Sequence, residues 1–226
     1  MSNKNKGKVF GKVVRLLTAV LALMLITCII YGTVTQDQIA DSVVRLHIVA
    51  NSNSEADQEV KLKIRDAILE HVAKEYPGGA TKEEAARFLK DNLSEIEGIA
   101  SSVLRENGLN DMVCANYGVY PFPTKEYGNL MLPAGDYEAV RVELGEAKGE
   151  NWWCIMFPPL CVADASSLKL DEEVMSQLKE GMSYENYRLL TEMSGENNTK
   201  ITVKFRIVEL VENSKMRLAE LFSSLF

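Results

Sequence analysis

The side chains able to do covalent or acid–base chemistry are few in this 226-residue chain: two histidines, four cysteines and scattered acidic pairs. His47 lies inside the apolar run Val43 to Ala50, and His71 falls on the apolar stripe of a predicted helix. A general base needs a partner within hydrogen-bond reach, and a metal site needs several donors at ligand spacing. Neither histidine has such neighbours in the sequence, and HExxH, GxSxG and CxxC are absent. Both histidines therefore read as core or boundary side chains. Asp171-Glu172-Glu173 reads as helix-start charge favoured by the dipole, not as a paired-carboxylate site. A nucleophilic Cys114 would need a histidine beside it, and nothing in the sequence supplies one. No glycine-rich loop follows a strand in a way that would cradle phosphate. The expectation is a chain that is not an enzyme and needs no cofactor or metal; an exported hydrolase of unrecognised type is the remaining catalytic alternative.

Cys154 and Cys161 carry a different message. Seven extended steps separate them, over about 20 Å of chain. A bridge requires Cα atoms within about 7 Å, so the chain would have to fold back, and Pro158-Pro159 is the place for it. An oxidising compartment favours a Cys154–Cys161 disulfide; the alternative is small buried thiols.

Tyr120 to Gly135 (YPFPTKEYGNLMLPAG) alternates aromatics with turn formers. It is too long for a tight turn and too apolar for an ordinary solvated loop. A rigid aromatic segment loses little entropy on docking and offers large contact area, which suits protein recognition; a plug over one end of a sheet has the same composition. The residues expected to contact a partner are Phe122, Pro123, Thr124, Lys125, Tyr127 and Gly128, with Trp152 and Trp153 beside them. In a strand, consecutive side chains face opposite sides, so one indole is expected in the core and the other exposed or covered by the loop.

The elements that must position these residues follow from periodicity. Val43 to Ala50 reads as a strand. Asn51-Ser52-Asn53-Ser54 caps a helix, with Ser54 and Asp57 at capping-box spacing. Val60, Ile64, Ile68 and Val72 form its apolar stripe, and Lys61, Lys63, Arg65, Asp66 and Glu70 are assigned to the wet side, until Pro77-Gly78-Gly79 ends it. Thr81 and Glu84 form a second capping box before a helical face that runs to Asn107-Gly108. Strands are expected over Met112 to Tyr120, Tyr137 to Leu144 and Asn151 to Phe157, the last two as a hairpin through Gly145 to Gly149. Further helices are expected over Leu170–Glu180 and Tyr184–Met193, a strand over Lys200–Val211, and a short amphipathic helix over Asn213–Phe226. The sum is an α+β fold: one domain with a mostly antiparallel sheet and packed helices.

The N-terminus decides where that domain works. Lys4, Lys6, Lys8, Lys12 and Arg15 precede any acidic residue, and Leu16 to Ile30 is then an apolar run of 15 residues. The positive flank stays in the cytoplasm, so the rest of the chain is exported. Extension to Val34 gives 19 residues, close to the roughly 20 that span a bilayer. A cleaved signal and a retained single-span anchor both fit. The expected organisation is residues 1–34 as basic flank plus signal or anchor, 35–42 as a short linker, and 43–226 as the exported domain. The chain carries −7, of which the first 35 residues contribute +5, so residues 36–226 carry −12. Such a domain is unsuited to nucleic acid or to an anionic membrane surface; the membrane is met through the N-terminal segment alone.

Five stretches, in order, resemble one family. Arg45-Leu-His-Ile-Val-Ala-Asn-Ser-Asn-Ser54, with Asp57-Gln58 and Lys63-Ile-Arg-Asp-Ala-Ile68, resembles the N-terminal signature of stage II sporulation protein R. So do Phe122 to Gly128, Leu132 to Val140, Asn151 to Cys161 and Lys204 to Glu209, while Val162 to Asn198 shows no such match. The resemblance implies a forespore protein exported into the space between the two membranes of a sporulating cell. It also implies a partner, a membrane-embedded aspartic protease of the stage II sporulation GA type, which then processes the precursor of sigma-E. A membrane-anchored binding module of the cell envelope, with no protease partner, is the alternative.

Overall fold

The computed structural model describes residues 3–76, 81–127, 130–158, 176, 179–180 and 182–192. Strand β1 (Val44–Val49) is buried at every position. A strand with no wet face must be central, and β1 is: it pairs in parallel with β5 (Gly135–Leu144) and antiparallel with β6 (Asn151–Phe157). Strand β2 (Val113–Phe122) pairs antiparallel with the far side of β5, giving the order β2-β5-β1-β6. A two-stranded antiparallel ribbon, β3 (Lys125–Tyr127) with β4 (Leu130–Leu132), stands apart from this sheet. Helices α2 (Glu55–Glu75), α3 (Lys82–Asp91) and α4 (Leu93–Glu106) complete an α+β architecture. Their apolar stripes, including Val60, Ile64, Ile68, Leu89, Ile96 and Leu104, share one core with Leu46, Ile48, Val140 and Val142.

A second core lies on the other side of the sheet. It joins Phe122, Tyr127, Leu130, Leu132, Tyr137 and Ile155 to Leu190 of α5 (Tyr184–Glu192) and to Ile39. Ile39 belongs to α1 (Asn3–Ala40), a single 38-residue helix. Its stretch Phe10–Ala40 is long and apolar enough to cross a membrane. Over the stretch 35–42 expected as a linker, helix continues to Ala40, and Thr35, Gln36, Ile39 and Ala40 are buried. Gly135 makes this fit possible, since a Cβ there would lie 2.0 Å from Gln36 Nε2. Twenty residues counted from Leu16 reach Thr35, so the length needed for the bilayer ends where burial in the domain begins.

Two local expectations are corrected by backbone bonding. The hairpin of the strands at Tyr137–Leu144 and Asn151–Phe157 does not form, because β1 inserts between them. The connection instead crosses the end of β1, held by Lys148 N–H to Asn51 O (3.1 Å), Gly149 N–H to Ala50 O (2.8 Å), Glu146 N–H to Asn51 Oδ1 (2.9 Å) and Glu150 N–H to Asn53 Oδ1 (2.7 Å). Gly149 has no room for a side chain, as a Cβ would meet Ser52 O at 2.3 Å. The continuous helical face from Thr81 to Asn107 divides at Asn92, whose Nδ2 donates to Phe88 O (2.8 Å) and closes α3. The caps at Ser54 and at Thr81 with Glu84 form as expected. Asp57, though, turns from Ser54 to accept from Ser52 Oγ (2.5 Å) and Asn51 Nδ2 (3.1 Å), and the Ser52 bond leads in lowering its pKa.

Tyr184–Met193 is met by α5. Of Leu170–Glu180, Ser176, Lys179 and Glu180 are described, and they are helical. The turn Pro77-Gly78-Gly79, the strand over Lys200–Val211, the helix over Asn213–Phe226, Gly128 and Cys161 lie outside the described residues.

Candidate docking site

The sheet has two edges and treats them differently. At β2, Pro121 removes a backbone donor, and Glu97 Oε1 accepts from Ala115 N–H at 2.7 Å. Both devices blunt an edge. β6 is the last strand in the order, and side chains reach its backbone: Tyr127 Oη donates to Trp153 O (3.3 Å) and Arg45 Nε to Cys154 O (3.5 Å). A groove of about 640 Å³ runs there, lined by the start of α2 (Glu55, Gln58, Glu59, Leu62), by β3 and by Glu150 to Cys154.

The two indoles straddle this edge. Trp152 packs against the helical core, with the Arg65 guanidinium 4.4 Å from its ring centroid. Trp153 packs against the second core, stacked on His47 (centroids 5.7 Å apart) and with Lys125 Nζ 4.4 Å from its ring. Neither is fully core; both are half-buried, and both indole N–H groups lack a partner. Lys61 ties α2 to the start of β6, donating to Glu150 O (2.9 Å) and Gln58 Oε1 (2.5 Å), and burial lowers its pKa. Glu55, Glu59, Glu126 and Glu150 stand exposed around the groove, none of them in an ion pair among the described residues.

The aromatic segment is not the open loop its composition suggests. Phe122 is 0% exposed and Tyr127 7% exposed. Both face inward because they enclose Arg45, itself 0% exposed: its guanidinium lies 4.1 Å from the Phe122 ring centroid and 4.9 Å from that of Tyr137, and Nη2 donates to Tyr127 Oη at 2.5 Å. No carboxylate pairs with this guanidinium among the described residues; the aromatic faces and the Tyr127 oxygen serve instead. Phe122 and Tyr127 are thus buried around Arg45, with Tyr127 also lining the groove. Pro123, Thr124 and Lys125 remain half-buried at the surface, and Thr124 Oγ1 accepts from Ala134 N–H at 3.0 Å.

His47 is a packed boundary residue. Its Nε2 lies 2.6 Å from Asn151 Oδ1, and its buried Nδ1 has no partner; desolvation lowers its pKa against the opposing Asn151 bond. His71 is half-buried, 3.7 Å from Glu95. No group of three or more His, Cys, Asp or Glu among the described residues could hold a metal ion. Cys154 is disulfide-bonded, Cys28 and Cys114 are free, and Phe157–Pro158 is cis.

Three buried cations escape a reading by periodicity. Lys61 and Arg65, assigned to the wet side of their helix, are 4% and 6% exposed. Their long apolar stems cover the core while their charged ends reach Glu150 O and the Trp152 face. Arg45 in the middle of an apolar strand was the visible signal, since a charge there must find a partner on another element.

Relatives share this scaffold. The family model described as stage II sporulation protein R matches residues 40–167, which span β1 to β6 and the groove. Stage II sporulation protein R of Bacillus subtilis (strain 168) is 36% identical over 186 residues, covering 77% of this chain and 82% of that protein. No solved structure matches the chain. The matched region contains the helical core, most of the second core, the Asn51–Ser54 clamp and the paired tryptophans, and the chain belongs to the stage II sporulation protein R family of sporulation signalling proteins.

Proposed function

We propose that this chain is exported across the forespore membrane and there activates a membrane-embedded aspartic protease of the stage II sporulation GA type by binding it. The activated protease then processes the sigma-E precursor in the mother cell. The observation that carries this reading is the groove at the β6 edge on a domain whose core includes the end of a membrane-length helix. A surface held against the outer face of a membrane can meet a partner embedded in the opposing one. The domain's −12 charge from residue 36 onward keeps it off anionic lipid and favours a basic protein surface. The chemistry of cleavage belongs to the protease, and this chain contributes contact.

The test is reconstitution in a non-sporulating bacterium. The chain is co-expressed with the protease and the sigma-E precursor from its own organism, and precursor length is followed by immunoblot. Processing is expected with the full chain and not with a chain lacking residues 1–34. Absence of processing, with all three proteins folded and correctly located, would refute protease activation and leave an envelope-binding module.

A further inference from the structure

We infer that α1 is retained as a membrane anchor, so that the exported part of the chain works while tethered to the membrane that α1 spans and not as a released, diffusing protein. The inference goes beyond the docking reading above and does not depend on the partner being a protease.

Cleavage of a leader needs small residues in an extended segment just past the apolar run. Two places offer small residues, and the fold occupies both. Cleavage after Thr35, with Thr33 two residues before it, would make Gln36 the new terminus. Thr35 and Gln36 are 6% and 5% exposed, and Gln36 fills the space that Gly135 leaves open. An α-amino charge formed at Gln36 would sit at a buried residue, where a charge is costly. Cleavage after Ala40 would take Gln36, Ile39 and Ala40 out of the fold. Ile39 is fully buried in the second core with Phe122, Tyr137 and Leu190, and its loss would leave a cavity there.

The end of the helix is also fastened. Ser42 Oγ donates to Ile39 O at 2.8 Å and to Gln38 O at 3.0 Å; these carbonyls belong to the last turn, which the helix itself leaves open. Asn186 Nδ2 of α5 donates to Gln38 Oε1 at 3.3 Å. Gln38 stands three residues past Thr35, about 4.5 Å of helical rise. The chain is therefore helical and bonded to the second core within one turn of the end of the span.

The apolar stretch suits lipid along its length. Neither proline nor an acidic residue occurs before Asp37. The hydroxyls of Thr18, Thr27, Thr33 and Thr35 donate to Arg15 O (2.9 Å), Met24 O (2.9 Å), Ile30 O (3.0 Å) and Tyr31 O (2.8 Å). Each polar side chain of the span is thus satisfied by the helix itself, as hydrocarbon requires. Leu16, Leu17, Leu21, Leu23 and Ile26 are exposed, and the most apolar part of the helix has none of its residues buried in the protein. Lys12 and Arg15 close the cytoplasmic end.

The test uses the full chain with a short tag at each terminus, expressed in the reconstituted bacterium. Membranes are washed with alkaline carbonate and both fractions are blotted for both tags. One full-mass band carrying both tags in the washed pellet is expected. Protease added to spheroplasts should remove the C-terminal tag and spare the N-terminal one. A soluble fragment that carries only the C-terminal tag, and whose sequenced terminus is Gln36 or Asp41, would overturn the inference, as would loss of the N-terminal tag to external protease. Precursor processing is read on the same cells and separates the two claims. Processing with only a released fragment present overturns the anchor and leaves protease activation standing. An intact anchored chain without processing establishes the anchor and refutes protease activation.

Discussion

Replacing Phe122 with alanine should unfold the domain before it disturbs any contact with a partner. The ring is 0% exposed, and it lies 4.1 Å from the Arg45 guanidinium, 5.7 Å from the Tyr137 ring and 5.8 Å from His47. Removal of a fully buried phenylalanine costs about 3–5 kcal/mol through lost burial and the cavity left behind. The Arg45 charge would lose one aromatic face, which places the variant toward the upper end of that range. Against a net stability of about 5–15 kcal/mol this is a large share. At roughly 2–4 °C per kcal/mol for a domain of this size, the midpoint should drop by about 6–20 °C. Near-UV circular dichroism of full-length protein in micelles, heated at one scan rate, measures it. Glu126→Lys, on the exposed part of the same segment, should stay within about 0.5 kcal/mol of the parent. A Phe122→Ala midpoint within about 2 °C of the parent, together with lost signalling, would refute the reasoning and return Phe122 to the contact surface.

Gly135→Ala should destabilise the seat of α1 by about 1–3 kcal/mol, because its Cβ would overlap Gln36; adding Gln36→Ala should restore most of the midpoint, and no restoration would place the strain elsewhere. His47 gives a pH signature. Its folded pKa is depressed below the ordinary 6.5 by burial, against the Asn151 bond, with Arg141 and Arg45 lowering it further and Glu143 opposing. A neutral buried histidine contributes stability present above about pH 6.5 and lost as pH falls through the depressed folded value. The midpoint should therefore decline below pH 6.5 more steeply in the parent than in His47→Gln, and identical profiles would remove His47 as the cause. Cys154 should be found joined to Cys161 on non-reducing mass mapping, with Cys28 and Cys114 alkylatable. By loop entropy that bridge contributes about 2.5 kcal/mol; a Cys161 that alkylates without reductant would contradict the pairing.

The elements were legible where one principle acts alone. Ser54 and Thr81 cap because a hydroxyl before a helix has unpaired backbone N–H groups to accept, and the stripe Val60-Ile64-Ile68 buries because its period matches the helix. The alternation of Trp152 and Trp153 across β6 was legible for the same reason. The neighbours of β5 and β6 were not. A glycine-rich five-residue connection looks like a hairpin, and only the Asn51 and Asn53 bonds to it, between residues about a hundred positions apart, make it a crossover. Of the residues expected at a docking site, Trp152, Trp153 and Lys125 line the groove. The burial of Phe122 and Tyr127 was not legible, because their composition does not reveal Arg45, the buried cation they enclose. The helical continuity of residues 35–40 was hidden too, since polar Thr35, Gln36, Asp37 and Gln38 resemble a linker until Gly135 opens a space for Gln36.

The central claim is direct contact between this groove and a membrane protease from outside the cytoplasm. Site-specific photo-cross-linking tests it most directly: a benzophenone amino acid replaces Glu126 in the full chain, and the reconstituted cells are irradiated while processing is under way. The account predicts a covalent adduct between this chain and the protease, absent when residues 1–34 are removed or when the probe replaces exposed Glu106 on the far helical layer. Active processing with an adduct from position 106 and none from position 126 would contradict it.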